Sequence, residues 1–352
     1  MLKGVNFGFR PGVGTSESIA MIKHIIDISN SRKSPLFAAI LDVEAAYDKV
    51  PKSAIYAGLK RLHVPQHIVN LLDNMESTRR LQVDTPFGLT KEFRPVLGLA
   101  QGSLLSPLLW NIFYNPLLLL LQQNTQGFKP NENDDLRIAS VAYADDLIPI
   151  ATTVEELQMQ LDIIHDFLRM YNMKMNVNKT HILTNLAQTH GLHPVRNEIT
   201  LGGVPIPSVK QKHELSRILG VFLSMDGDAT TTVDHAISTL KNQINLLSRK
   251  HLPSQVAINI INSVLISKIL YRLQVTTVTD TKYKAIDTLL RVLTRRKAGL
   301  PKNTPNEILY DKTFGLHLQE FRHVHQAQLI TNTTAMSRSE NIIGEFLKQA
   351  LK

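Results

Sequence analysis

The chain has 352 residues, 43% hydrophobic and 20% charged, enough for two or three compact units with a substantial core, which excludes a disordered protein. It contains no cysteine, so disulfides and thiolate-based zinc sites are excluded and a secreted, disulfide-stapled design is not expected. The net charge of +9 is uneven: residues 1–209 carry 19 Lys+Arg against 19 Asp+Glu, and residues 210–352 carry 20 against 11. That excess points to a polyanionic partner for the C-terminal part, the alternative being a solvated cationic surface.

In chain order, the opening "MLKGVNFGFRPG" lacks the apolar core of a signal peptide. The turn-rich "GFRPGVGTSES" leads into a helix through "SIAMIKHIIDIS", with Thr15 or Ser16 as its cap. "PLFAAILDV" reads as a buried strand ending in an acid. Two helices follow, around "SAIYAGLKRL" and "QHIVNLLDNME", and then a hairpin, "RRLQVDTPFGLTKEFRPV", about a Pro86 to Gly88 turn.

"GLAQGSLLSPLLWNIFYNPLLLLLQQ" is a glycine-marked loop entering a long helix. Its apolar run, Leu104 to Leu121, is broken by Ser106, Pro107, Asn111, Asn115 and Pro116, which predicts a buried helix and not a membrane span. We therefore expect an intracellular chain, nuclear or cytoplasmic, with no membrane contact. "LRIASVAYADDLIPIA", residues 136–151, predicts two strands joined at Asp145 and Asp146 by a tight turn. Thr153 and Glu156 form a capping box for a helix whose Val154, Leu157, Leu161, Ile164 and Leu168 share one face. "MKMNVNKTHILT" is extended, and a Gly- and Pro-rich loop leads to "SRILGVFLSMDGD". From about residue 230 three basic helical segments follow, "HAISTLKNQINLLSRK", "SQVAINIINSVLISKILYRL" and "YKAIDTLLRVLTRRKAGL".

Asp42, Asp145 and Asp146 fall where strands end, so strands sharing one sheet would bring the three carboxylates to one edge. Adjacent acids in an apolar stretch are costly to bury unless something positive compensates. Hard carboxylate oxygens suit Mg²⁺, which completes its shell with water and substrate phosphates. Two such ions can activate a 3′-hydroxyl and stabilise a departing pyrophosphate. Taken alone, "ADD" reads equally well as a solvated turn. His190 with His193, and His323 with His325, have no cysteine or acidic partner at a metal-ligand interval and read as surface or loop histidines.

"AILDVEAAYDKV", "GLAQGSLLSPLLWNIFYN", "VAYADDL" and "MNVNKTHIL", in this order, resemble the reverse transcriptases of non-long-terminal-repeat (LINE-like) retrotransposons over roughly residues 5–225, and loosely through "TFGLHLQEF". The resemblance implies an α+β fold: a right-hand polymerase palm with an antiparallel sheet and packed helices, partial fingers and a basic helical thumb. Residues 1–35 would be the partial fingers, 36–225 the palm with a fingers insertion at about 53–98, and 226–352 the thumb and C-terminal region. Asp42, the Val43 main-chain carbonyl, Asp145 and Asp146 would hold two Mg²⁺ ions, with Mn²⁺ as a substitute. Tyr47 corresponds to the aromatic gate against a ribose 2′-hydroxyl, while Asp48 and Glu44 are structural. Gln101 and Gly102 match the loop beside the nascent base pair, although Ala100 stands where the family often has proline; Ser103 is a helix cap or a substrate contact. Lys179 matches a lysine assisting pyrophosphate departure as a general acid, the alternative being an exposed turn lysine. Leu219 and Gly220 match the hairpin that grips the primer end, the alternative being an ordinary core strand. Arg291, Arg295, Arg296 and Lys297 read as a phosphate-facing stripe on the thumb.

The implied partners are an RNA template, a DNA primer and dNTPs. The resemblance starts late in the family's pattern: the fingers motifs normally preceding "GFRPG" have no counterpart, nor is there an endonuclease or a cysteine-histidine knuckle. We therefore expect a 5′-truncated element copy. A catalytically incompetent nucleic-acid-binding remnant is the alternative to an active polymerase, and an RNA polymerase on a related palm is a third reading.

Overall fold

The computed structural model describes residues 6–133, 135–187 and 199–350. In chain order its elements are α1 (Thr15–Arg32), β1 (Phe37–Ile40), α2 (Lys52–Arg61), α3 (Gln66–Thr78), β2 (Asp84–Thr85), β3 (Gly88–Leu89), α4 (Ser106–Asn124), β4 (Ser140–Tyr143), β5 (Asp146–Ala151), α5 (Val154–Met170), β6 (His181–Thr184), β7 (Thr200–Leu201), β8 (Val204–Pro205) and β9 (Ser208–Lys210). They continue with β10 (Ser216–Ile218), β11 (Val221–Leu223), α6 (Ala229–Ser248), α7 (Ser254–Ile260), α8 (Ser267–Arg272), α9 (Asp280–Ala298), α10 (Asn306–Tyr310), α11 (Phe321–Arg338) and α12 (Ile342–Ala350). The chain divides into two units, one of residues up to 18 with 34–210, the other of 19–33 with 211 onward.

The first unit is built on a five-stranded sheet in the order β4-β5-β1-β6-β9. Its central strand, "FAAI", is paired on both edges, and three of its four residues are fully buried. A strand covered on both faces must be apolar throughout, which is why this segment is legible in sequence. The ladder is antiparallel from β4 to β6, as expected, but the β6–β9 pair is parallel. Leu157, Leu161, Ile164 and Leu168 of α5 are buried in the core of this unit. The capping box forms with a variation: Glu156 N–H donates to Thr153 Oγ1 at 3.2 Å, and the Glu156 carboxylate accepts from Thr152 N–H and, at 2.6 Å, from Gly127 N–H. The run from Leu104 to Leu121 is largely the buried helix α4. The β2–β3 hairpin turns at Pro86–Phe87, with Phe87 99% exposed.

The second unit is mainly helical and takes in most of α1, whose Ile19, Met21, Ile22, Ile25 and Ile26 are buried. Asn30 of that helix donates to the Met225 carbonyl at 2.8 Å, and Lys23 and His24 line a cavity with Gln274, Leu329 and Met336. Residues 19–33 group with residues from 211 onward, so this division falls at other positions than the expected 35 and 225, and the β10–β11 hairpin falls in the same unit. The segment 254–272 runs as α7, a π-turn at Ile261–Ile266, and α8. Among the described residues it is the one helical run long and apolar enough to cross a membrane by length and composition. Its Ala257, Ile258, Ile261, Leu265, Ile266 and Ile269 are buried in this unit. At the π-turn Asn262 donates to the His317 carbonyl and accepts from Gln319 N–H, tying down the "TFGLHLQEF" segment.

Candidate active site

The acids are positioned by strand register. β1 and β5 pair Phe37 with Ala151 and Ala38 with Ile150, and beyond β1 Leu41 still bridges Leu147. The same register carried one residue further sets Asp42 opposite Asp146, and directly opposed residues point to the same face of a sheet. Tyr143 pairs with Asp146 across the β4–β5 hairpin, leaving Ala144 and Asp145 as its two-residue turn. The expected hairpin at the acidic pair therefore exists, but both aspartates are exposed at its tip. The burial cost that sequence alone suggests is absent, because the apolar run ends one residue to either side of the turn.

Asp42 is 44% exposed, and Lys179, from a single 3₁₀ turn at Val177–Lys179 and not from the extended segment expected there, holds its ammonium 3.4 Å from Asp42 Oδ2. An exposed pair of this kind contributes only about 0–1 kcal/mol and is readily exchanged for another cation. Backbone bonds fix the strand end: Asn176 N–H donates to the Asp42 carbonyl, Glu44 N–H to the Lys174 carbonyl, and Val43 bridges Met175. Among the described residues no group of three or more Asp, Glu, His or Cys side chains forms a ready-made metal cage. The donor set nonetheless suits a hard divalent ion, since Mg²⁺ is commonly held by one or two carboxylates and completed by water and substrate oxygens.

Beside the acids lies a cavity of about 560 Å³ whose lining includes Phe9, Val43, Tyr47, Gln101, Gly102, Leu104 and Asp145. Tyr47 stacks on Trp110 with ring centroids 5.0 Å apart and planes 11° apart, and Phe9 meets it edge-on at 6.4 Å. Its hydroxyl is buried without a hydrogen-bond partner among the described residues. Burial, and secondarily the charge of Asp145, push its pKa up to about 12, so the ring is neutral under any working condition. Burial and the two aspartates likewise hold the Tyr114 phenol well above its ordinary range. Gln101 donates to Asp48 Oδ1 at 3.2 Å, and Glu44 pairs with Lys49 at 3.5 Å, so both of these acids have local partners. Gly102 has φ 87° with open space where a Cβ would sit, so its backbone angle, not a close approach within this chain, requires glycine. The Ser103 hydroxyl accepts from Leu105 N–H.

Two residues of this site escaped the sequence reading. Phe9, at φ 58°, walls the cavity although it lies in a turn-rich stretch without apolar periodicity. Trp110 is fully buried and donates its indole N–H to the Ala144 carbonyl at 2.8 Å. The available signal was that a buried indole needs an acceptor. Ala144 has φ 56°, where glycine is preferred at the first position of a type II′ turn; a Cβ there costs roughly 1–2 kcal/mol. The turn is hemmed in further by Gly8, since a Cβ on Gly8 would lie 2.2 Å from Ala144 N.

The family profile described as reverse transcriptase (RNA-dependent DNA polymerase) matches residues 2–223. This chain belongs to the reverse transcriptase family. It is 26% identical over 321 residues to the retrovirus-related Pol polyprotein from type-2 retrotransposable element R2DM of Drosophila melanogaster, covering 90% of this chain and 30% of that protein. It is 27% identical over 315 residues to the corresponding polyprotein of a type-1 retrotransposable element R2 of Popillia japonica, covering 88% and 43%. The RNA-directed DNA polymerase from mobile element jockey of Drosophila melanogaster is 25% identical over 282 residues, 76% of this chain and 29% of that protein. The chain thus spans less than half the length of these relatives, which are non-long-terminal-repeat elements, as the motif set implied. Among solved structures, an apo telomerase from Candida tropicalis aligns with a TM-score of 0.45 at 13% identity, covering 94% of this chain and 56% of that one.

The remaining candidates among the described residues lie in the second unit. Leu219 and Gly220 form the two-residue turn of the β10–β11 hairpin, both with positive φ (48° and 84°), and Tyr271 donates its hydroxyl to the Leu219 carbonyl at 2.6 Å. Arg291, Arg295, Arg296 and Lys297 all lie on α9, but at about 100° per residue they do not make one stripe. Arg295 clasps the Thr304 carbonyl and Asn306, and Lys297 binds the Ser248 and Lys250 carbonyls at the end of α6. Arg291 donates to Thr288, and Arg296 is exposed. His325 is not a surface histidine: it is fully buried, with Tyr283 Oη 2.7 Å from Nδ1 and the Leu273 carbonyl 2.9 Å from Nε2. His323 is exposed and pairs with Glu320. His190 and His193 lie outside the described residues.

Proposed function

We propose that this chain is the polymerase core of a non-long-terminal-repeat retrotransposon and performs RNA-templated DNA synthesis, joining a dNTP to the 3′-hydroxyl of a DNA primer. The observation that carries this reading is the register that bridges Leu41 with Leu147, the neighbours of Asp42 and Asp146, with Asp145 in the adjoining turn and on the wall of the cavity shared with Tyr47, Gln101 and Gly102. Reverse transcriptases use divalent metals; here Asp42, Asp145, Asp146 and the Val43 carbonyl would hold two Mg²⁺, or Mn²⁺, displacing the Lys179 ammonium from Asp42. Bound there, the ions supply charge stabilisation to the attacking and leaving oxygens.

The chain's own groups do the rest. Tyr47, held flat against Trp110, excludes a ribose 2′-hydroxyl by bulk and stays protonated. Gln101 offers a donor and an acceptor beside the nascent pair. Lys179, freed from Asp42, gives a proton to the departing pyrophosphate. Leu219 and Gly220 bear on the primer end, and the excess positive charge of residues 210–352 holds the template–primer duplex.

Primer extension on a poly(A)–oligo(dT) substrate tests this. Mg²⁺-dependent dTTP addition that disappears in Asp145→Asn supports the assignment, whereas extension unchanged in Asp145→Asn and in Asp42→Asn rejects it. The second reading, a nucleic-acid-binding remnant, is favoured by the Lys179 ammonium that already sits on Asp42. It predicts duplex binding with no extension by the wild-type chain.

A further inference from the structure

The Trp110 side chain touches two parts of the site at once. One face of its ring stacks on Tyr47, and Tyr114, one helical turn further along α4, stacks on it at 5.0 Å. Its N–H reaches the carbonyl of Ala144, the residue immediately before Asp145. We propose that Trp110 is a positioning residue for nucleotide addition, whose indole N–H clamps the left-handed Ala144 turn and so sets Asp145, while its ring braces the tyrosine that excludes ribonucleotides. The inference rests on the polymerase reading and goes beyond it by dividing two functions between two parts of one side chain.

The backbone supplies the reason for the clamp. Ala144 occupies a φ of 56° that an alanine resists, and the hairpin offers no glycine there. Without an external donor on its carbonyl, the turn would relax toward a conformation with negative φ at residue 144. That relaxation would swing Asp145, the second residue of the turn, between Ala144 and the strand residue Asp146. The ring acts separately: a coplanar stack fixes Tyr47 whether or not the N–H is present. A bland reading, in which Trp110 merely fills core volume, predicts that any loss spreads equally over all readouts.

Three variants separate these readings. Trp110→Phe keeps an aromatic face and loses the N–H; Trp110→Leu loses both; Trp110→Phe with Ala144→Gly removes the donor and also the need for it. For Trp110→Phe we expect kcat for dNTP addition to fall about tenfold, the scale of one lost buried hydrogen bond, with KM for dTTP and the exclusion of UTP within about threefold of wild type. Adding Ala144→Gly should restore kcat to within about threefold. Trp110→Leu should also weaken UTP exclusion.

Amide exchange across residues 140–151, followed by mass spectrometry, provides a readout independent of activity. Protection of the hairpin should drop in Trp110→Phe and return in the double variant. If the wild-type chain extends no primer but exchange follows this pattern, the polymerase reading fails and the clamp stands. If Trp110→Phe leaves both kcat and exchange unchanged, or if Ala144→Gly restores neither, the clamp is overturned.

Discussion

The β4–β5 hairpin of the first unit and the β10–β11 hairpin of the second each close on a two-residue turn that begins with a non-glycine in the left-handed region, Ala144 at φ 56° and Leu219 at φ 48°. In each, a helix-borne aromatic donor takes the carbonyl of that residue, Trp110 at 2.8 Å and Tyr271 at 2.6 Å. The second turn follows with Gly220 at φ 84°, so both central residues have positive φ, the type I′ pattern that suits the twist of its strands. The first follows with Asp145, an acid, and its donor is fully buried where Tyr271 is 37% exposed. The first turn holds a non-glycine in the left-handed region beside its carboxylate and relies on a buried hydrogen bond. The second turn has glycine at its other left-handed position, and its donor is open to water.

The sharpest way to break this comparison is at the acid itself. Asp145→Asn should reduce primer extension by about a thousandfold or more, since electrostatic groups at a reacting centre are worth roughly that much. Gly220→Ala should instead strain the second turn, with a Cβ 3.1 Å from the Tyr271 ring, and change extension by about tenfold or less. Equal losses in the two variants would dissolve the distinction between a chemical turn and a supporting one. Next in size is stability. Truncating the fully buried Trp110 to Leu should cost about 3 kcal/mol, whereas Tyr271→Phe, which removes one partly exposed hydroxyl, should cost about 1 kcal/mol or less. Urea denaturation of the two variants measures both, and a Tyr271→Phe cost matching that of Trp110→Leu would show that burial is not what separates the clamps.

Both hairpins were legible in sequence to different degrees, for physical reasons. "SVAY" and "DLIPIA" flank a polar break, so apolar runs of strand length announce the first hairpin and its acids. The second is carried only by "SRILGVFL", where Leu-Gly is a weak turn signal. What the letters did not disclose is set by three-dimensional closure. The acids are exposed, one in the turn and one at the first residue of β5. Lys179 meets Asp42 only because a short 3₁₀ turn interrupts the segment read as extended. Residues 19–33 group with residues from 211 onward, a long-range association that no local pattern encodes. The cluster on α9 looked like one cationic stripe because neighbours in sequence are not neighbours on a helix face, and two of its members are occupied by carbonyls.

A smaller effect concerns the tyrosine braced by the first clamp. With its pKa pushed up to about 12, first by burial and then by Asp145, Tyr47 remains a neutral phenol. Exclusion of ribonucleotides should therefore be flat from about pH 6 to 10, where an ordinary exposed tyrosine is already half ionised. A discrimination ratio that falls with an apparent pKa near 10 would reject the packed, desolvated position of the ring. The linkage sign agrees: the unfolded phenol ionises first, so this group contributes stability that is lost as pH rises above about 10.

The smallest expected effect lies in the second unit, at His325. Its ring is satisfied as the neutral tautomer, with Nε2–H donating to the Leu273 carbonyl and Nδ1 accepting from the Tyr283 hydroxyl. Burial lowers its pKa below 6.5, and the bond to Leu273 offsets only part of that. Below 6.5 the unfolded chain therefore takes up a proton that the folded chain refuses, so stability falls as pH drops from 6.5 toward the lowered folded value. His24 and His235 are lowered for the same leading reason and add to the slope, while Asp287, raised by burial, acts in the opposite direction at more acidic pH. Replacing His325 with Phe should remove its share of the loss of stability between about pH 7 and 5.5. Urea midpoints of wild type and His325→Phe at the two pH values measure that share. Parallel slopes would mean that the buried ring accepts a proton as readily as an exposed one, against the desolvation that its burial imposes.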